Sequence, residues 1–143
     1  MAFVIVFLIL ALDQFTKLFV IKNLSLHESL AVIPGIFHLT LVHNQGAAFG
    51  ILRGKLPLFI FSSVFAIILI YFNLKDKHKE GISFLALALI LSGALGNLID
   101  RIFLGYVVDF LDFRVWPVFN IADSAITIGA VLLGWEILFK KKF

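Results

Sequence analysis

The segment "GNLIDRIFLGYVVDF", residues 96–110, sets an amide (Asn97), a carboxylate beside a guanidinium (Asp100, Arg101) and a second carboxylate (Asp109) into an otherwise apolar run. Three other stretches repeat the pattern. "DQFTK" (13–17) carries Asp13 and Lys17, "NQGAAFG" (44–50) opens with Asn44, and "FNIAD" (119–123) carries Asn120 and Asp123. Placing a charge in hydrocarbon costs at least ~2.5–3.5 kcal/mol, so such groups face inward, pair with one another, or do chemistry. Other reactive types are scarce. The chain has no cysteine, which excludes a thiol nucleophile, a disulfide framework and a thiolate metal site. His27, His38, His43 and His78 show no HExxH or HxH spacing, so neither a metal site nor a cofactor is expected.

The elements that must position these residues are membrane spans. A soluble domain is about 45–50% apolar and about 25% charged, whereas this chain of 143 residues is 62% hydrophobic and 15% charged. Crossing the hydrocarbon core takes ~20 mostly apolar residues as a helix. Residues 56–74 and 82–99 carry no charge, and 121–139 is apolar except for Asp123 and Glu136 near its ends. Residues 1–21 form a fourth candidate, interrupted by Asp13 and Lys17; lacking a basic start and an AxA-like cleavage site, it reads as a retained span. The expected fold is therefore an all-α integral membrane protein of four transmembrane helices in one domain, 1–143. "IFHLTLVHN" (36–44) follows the turn signal Pro34-Gly35 and reads as a strand or hairpin, and "YVVDFLDF" (106–113) reads similarly. Together they predict a small β sheet on the outer membrane face.

Orientation follows from lysine and arginine density. "KDKHKE" (75–80) and "KKKF" (140–143) hold six Lys in ten residues, against five Lys or Arg in the 55 residues of 22–55 and 100–120. The dense ends are expected in the cytoplasm, with both termini inside and the longer loops outside. Lysines at membrane boundaries also account for the net charge of +3, so no nucleic-acid partner is expected. Tyr71, Tyr106, Trp116 and Trp135 near span ends suit interfacial aromatics. With this topology Asp100, Arg101, Asp123, Asn44 and Asp109 fall on the outer side. Asp13 joins them, since twelve helical residues at 1.5 Å each place it about 18 Å from the chain start.

Each polar residue also has a purely structural reading. Asp13 and Lys17 are i,i+4 and suit an ion pair. Asn120 suits an N-cap, with Asp123 an acid in the first turn favoured by the helix dipole. Asp100-Arg101 suits an interfacial anchor. Gly93, Asn97, Asp100 and Arg101 share one helix face, where a glycine and an amide suit close helix packing. Asp112 and Glu28 read as solvated loop acids, and Glu136 as an interfacial acid paired with lysine. These readings hold one by one, yet they leave the convergence at a single membrane face unexplained. A small proton-coupled transporter would also use intramembrane Asp, Arg and Asn, but more typically with repeat symmetry and midplane sites, which this chain lacks. A lipid-headgroup transferase would need a DxxDG-type metal run, also absent. A membrane adaptor would make the polar residues structural.

The blocks "DQFTK", "NQGAAFG", "GALGNLIDR" (93–101), "GYVVDF" (105–110) and "FNIADSAITIG" (119–129) resemble, in order, those of the bacterial lipoprotein signal peptidases, also called type II signal peptidases. The resemblance runs from Asp13 to Gly129. It implies an aspartic peptidase of the bacterial cytoplasmic membrane, with Asp109 and Asp123 as the catalytic pair. Asp13, Lys17, Asn44, Gly46, Asn97, Asp100, Arg101 and Asn120 match the family's supporting positions. The implied substrate is a diacylglyceryl-modified prolipoprotein cleaved just before the lipidated cysteine. The implied partners are membrane lipid and globomycin-type inhibitors, and the expected working unit is a monomer. Two carboxylates sharing one proton supply both the base and the acid of amide hydrolysis. The helix dipole favours the negative charge on Asp123, which leaves the proton to Asp109.

Overall fold

The computed structural model describes residues 2–46, 52–75 and 81–139. Four helices carry the chain: α1 (Ala2–Asn23), α2 (Leu56–Leu74), α3 (Ile82–Phe103) and α4 (Ile121–Phe139). All four are long and apolar enough to cross a membrane. The basic stretches at 76–80 and 140–143, and residues 47–50 of "NQGAAFG", lie outside the described residues.

The expected third span stops at residue 99, but α3 continues one turn further and takes in Asp100 and Arg101. The helix tolerates this because Arg101 lies in the last turn, where a cation complements the helix dipole, and Asp100 is neutralised from α1. It ends where Gly105, at φ +79°, donates its N–H to the Arg101 carbonyl, a left-handed position that costs glycine little.

The strands β1 (Ser29–Ile33), β2 (Phe37–Asn44) and β3 (Val107–Asp112) form one antiparallel sheet in the order β1-β2-β3. The expected hairpin and the later strand are both present. Tyr106 stacks on His43 with ring centroids 3.9 Å apart, so it braces the sheet. Leu41, Val108 and Phe110 bury one sheet face against Val20 of α1, which docks the sheet on the bundle.

Helices α3 and α4 pack closely because glycines remove the side chains between them. A Cβ at Gly93 would run into the Ala122 carbonyl, and one at Gly129 would fall 2.6 Å from the Ala86 carbonyl oxygen. Small residues at helix crossings are how membrane bundles gain contact where burial in lipid offers no driving force. In contrast, α2 buries none of its residues, and Phe61 and Phe72 stand exposed. Such a surface suits hydrocarbon as its solvent.

Candidate active site

Lys17 organises the first layer of polar groups. Asp13, Gln14 and Lys17 share one turn of α1, so all three reach the same neighbours. The Lys17 ammonium pairs with Asp13 Oδ2 at 2.8 Å and with Asp100 Oδ2 at 2.9 Å, and donates to Asn97 Oδ1 at 3.1 Å. Lys17 is 2% exposed and Asp13 fully buried. Each carboxylate spends its remaining capacity on backbone. Asp13 Oδ1 accepts the Ala122 N–H at the start of α4, and Asp100 Oδ2 accepts the Val108 N–H of β3. Gln14 donates to both Asp13 and Asp100 and to the Gly96 carbonyl. One cation thus ties α1, α3, α4 and the sheet together.

The second layer is built of amides. Asn120 precedes α4 and its Oδ1 accepts the Asp123 N–H at 2.8 Å, the N-cap bond expected of it. Antiparallel bridging of Phe119 to Leu111 holds the residue before it on the sheet. The Asn120 amide then donates to Asp109 Oδ1 at 2.8 Å, to the Val108 carbonyl and to Asn97 Oδ1. Asn97 donates to Asp123 Oδ1 at 2.8 Å. From β2, Asn44 donates to Asp109 Oδ2 at 2.9 Å, while its own carbonyl oxygen accepts the Gly46 N–H. Asp109 therefore receives one amide on each oxygen. Asp123 receives the Asn97 amide on Oδ1, and the Asn120 backbone N–H also acts on its carboxylate.

Charge separates these carboxylates into two kinds. Asp13 and Asp100 pair with Lys17, and Asp112 pairs with Arg114 at 3.1 Å. Among the described residues, Asp109 and Asp123 are the aspartates with no direct ion pair, and they face each other's charge. Burial and the charge of Asp123 push the Asp109 carboxyl up to about 7, against Asn44, Lys17 and Asn120, which favour its ionised form. Arg101 acts on Asp123, Asp109 and Asp100 through space, its half-buried guanidinium lying 5.1 Å from the Phe59 ring centroid. Such a site can hold one proton between two carboxylates, the requirement of acid–base hydrolysis.

The structure brings together Asp13, Lys17, Asn44, Asn97, Asp100, Asp109, Asn120 and Asp123, with Arg101 at the edge and Gly46 anchored by Asn44. Several single-residue readings need correction. Asp100 is no interfacial anchor but a buried partner of Lys17. Asp112 is not solvated: it is 6% exposed and accepts the Thr40 hydroxyl at 2.7 Å. Its burial opposes ionisation, but Thr40 and Arg114 outweigh that and hold its carboxyl below the usual range. Glu136 is buried and accepts the Ser83 hydroxyl, while the lysines expected to pair with it lie outside the described residues. Gln14 was missed; a polar residue within an apolar span, one position from Asp13, was the available signal. Among the described residues, no cluster of three or more His, Asp or Glu is arranged to hold a metal ion.

Comparison with known proteins gives a single pattern. The model of the family described as signal peptidase (SPase) II matches residues 5–139. A lipoprotein signal peptidase of Halothermothrix orenii is 50% identical over 133 residues, covering 93% of this chain and 92% of its own. One from Caldanaerobacter subterraneus subsp. tengcongensis is 51% identical over 142 residues, covering 98% of this chain and 97% of its own. A bacterial membrane enzyme solved by the in meso method at 2.3 Å resolution superposes with a TM-score of 0.91 at 37% identity, over 99% of this chain and 91% of that one.

Proposed function

The chain belongs to the signal peptidase II family, whose function is to cleave signal peptides from prolipoproteins, and from that premise we propose that Asp109 and Asp123 are its catalytic carboxylates. It is a multi-pass bacterial membrane protein, and the reading treats 1–143 as one aspartic peptidase domain. The observation that carries the assignment is the distribution of counter-charge. Asp13 and Asp100 are neutralised by Lys17 and Asp112 by Arg114, whereas among the described residues Asp109 and Asp123 have amide donors but no direct ion pair, and Lys17 and Arg101 act on them only through space.

The mechanism follows from that asymmetry. Asp109, its carboxyl raised to about 7, holds the shared proton in the resting site. Asp123, in the first turn of α4, is the anion that the helix dipole stabilises. Its carboxylate takes a proton from water as the water oxygen attacks the scissile carbonyl carbon. Asp109 donates its proton to the carbonyl oxygen, giving a neutral tetrahedral diol. Proton return to Asp109 and transfer from Asp123 to the leaving nitrogen then break the C–N bond and restore the resting state. Arg101 and the amides position the substrate backbone. The substrate is a prolipoprotein whose cysteine already carries diacylglycerol; its acyl chains lie in the surrounding lipid, and cleavage falls just before that cysteine. Globomycin-type peptides occupy the same cleft, and the enzyme works as a monomer.

The test is single-turnover cleavage of a diacylated prolipoprotein by purified protein. Asp109→Asn and Asp123→Asn each lower turnover by several orders of magnitude while binding and folding persist. A well-folded Asp109→Asn enzyme with near-normal turnover would falsify the assignment. The same reading puts both termini in the cytoplasm and the site at the outer face. Cysteine at position 77 should then label only from the cytoplasm and cysteine at 114 only from outside; labelling of position 77 from outside reverses the orientation.

A further inference from the structure

Asn44 reaches Asp109 because the sheet carries an irregularity between the two strands. His38 opposes Asp112 and Leu39 opposes Leu111, but the next pairs are Val42 with Asp109, His43 with Val108 and Asn44 with Val107. Thr40 and Leu41 together therefore face the single residue Phe110, an extra residue on β2. Side chains alternate faces along a strand, so a slip of one residue turns every later side chain over. With the bulge, Asn44 lies on the same face as Val42, Val107 and Asp109. If the register of His38 and Asp112 continued unbroken, Asn44 would sit opposite Tyr106, on the face of Val108 and turned away from Asp109.

The bulge is pinned by side chains. Thr40, inside it, donates its hydroxyl to Asp112 Oδ2 at 2.7 Å, and Asp112 is held in turn by the Arg114 backbone N–H and guanidinium. With the Thr40 proton given to Asp112, the 2.8 Å contact with Ser29 must run from the Ser29 hydroxyl to Thr40. The 3.0 Å contact of Ser29 with His38 then needs Nδ1–H as the donor. That tautomer leaves His38 Nε2 as an acceptor, and this atom is buried without a hydrogen-bond partner among the described residues. The relay His38–Ser29–Thr40–Asp112 thus runs across all three strands beside the bulge.

We propose that Thr40 and Asp112 are positioning residues for the reaction: their hydrogen bond fixes the β2 bulge, and the bulge places Asn44 on Asp109. The proposal rests on the reading of Asp109 as a catalytic carboxylate. It assigns a role to two residues whose hydrogen bonds go to Ser29, Arg114 and each other rather than to Asp109 or Asp123. The groups that face Asp109 from the helices are Lys17 of α1, Arg101 of α3 and Asp123 of α4, and a change of sheet register leaves them in place. A register change therefore shows in the titration of Asp109 mainly through the loss of Asn44, a donor that favours the ionised form.

The experiment measures kcat and KM against pH for Thr40→Val, Asn44→Ala, the double variant and Thr40→Ser, with Asp109→Asn as the control for the catalytic assignment. Thr40→Val and Asn44→Ala should each move the alkaline limb of the kcat profile upward by about one pH unit, the size expected for a lost hydrogen bond to a charged group. The double variant should move it no further than Asn44→Ala, and Thr40→Ser should restore it. Register is read independently by disulfide trapping. The pair His43→Cys with Val108→Cys should cross-link when Thr40 is present, and Val42→Cys with Val108→Cys should gain cross-linking in the Thr40→Val background. If Thr40→Val does not accumulate, Asp112→Ala removes the same pin from the other strand and is read in the same way. A Thr40→Val profile equal to that of the unaltered enzyme, a shift additive with Asn44→Ala, or unchanged cross-linking overturns the proposal. An active Asp109→Asn enzyme overturns the catalytic assignment instead, so the two failures are distinct.

Discussion

The Lys17 cluster and the Asp109–Asp123 pair occupy the same polar end of the bundle, yet their carboxylates are treated in opposite ways. Around Lys17 two aspartates share one buried cation, and the oxygens left over accept backbone N–H groups of α4 and β3. Around Asp109 and Asp123 the donors are neutral amides, and no cation is in direct contact among the described residues. Neutralisation makes the first cluster a fastener between the helices and the sheet. Withholding the counter-charge keeps the second cluster titratable. The two are linked through Asn97, whose oxygen accepts from Lys17 and whose amide donates to Asp123, so the fastener also orients Asp123.

The sharpest way to break this contrast is to make the same change on both sides of it. Asp109→Asn and Asp123→Asn should each remove activity by several orders of magnitude without any loss of thermal stability. The double variant should be scarcely worse than either single one, because residues acting as a unit lose their function together. Asp100→Asn should show the reverse: lower stability and a partial loss of turnover that follows the folded fraction. Equal catalytic losses at full stability for Asp100→Asn and Asp109→Asn would erase the distinction.

A smaller effect comes from removing the cation. Lys17→Met leaves two buried carboxylates without a counter-charge, and breaking a buried ion pair costs about 3–5 kcal/mol. The variant should melt earlier and lose activity with its fold. Adding Asp13→Asn and Asp100→Asn removes the stranded charges and should recover most of the lost stability. If the triple variant is no more stable than Lys17→Met, the cluster is not holding the bundle by charge.

This contrast was only half visible in the residue order. Span lengths follow from hydropathy, and alternating spans bring Asp13, Asp100, Arg101 and Asp123 to one side. The first helix runs two residues past its expected end, and α3 runs a full turn past its own because the charges that argued for a stop are compensated by the helix dipole and Lys17. The convergence of polar groups was therefore legible, and the N-cap role of Asn120 with it. Partner choice was not. Nothing local in "DQFTK" says that Lys17 takes Asp100, 83 positions away, as well as Asp13. The burial of Asp112 was hidden for the same reason, since it depends on a bulged pairing between β2 and β3 across 72 positions.

The mildest prediction concerns pH and sharpens the difference between a fastened and a free carboxylate. The Asp109 carboxyl stands at about 7 in the folded protein against 3.8 for the ordinary group, so folding favours its protonated form. A group raised in this way contributes stability that is complete below the unfolded value and lost as pH rises through the folded one. Melting temperature should therefore decline from about pH 4 to about pH 7 and level off above. The decline should be modest, because Asp123 shares the proton and a chain of this size loses only about 2–4 °C for each kcal/mol. Asp109→Asn, which cannot ionise, should flatten the curve across that interval and melt above the unaltered protein at neutral pH. Calorimetric or fluorescence melts of the two proteins from pH 4 to 8 decide it. A neutral-pH melting point that Asp109→Asn leaves unchanged or lowers would mean that Asp109 is already paired like Asp100, and the two clusters would then be one.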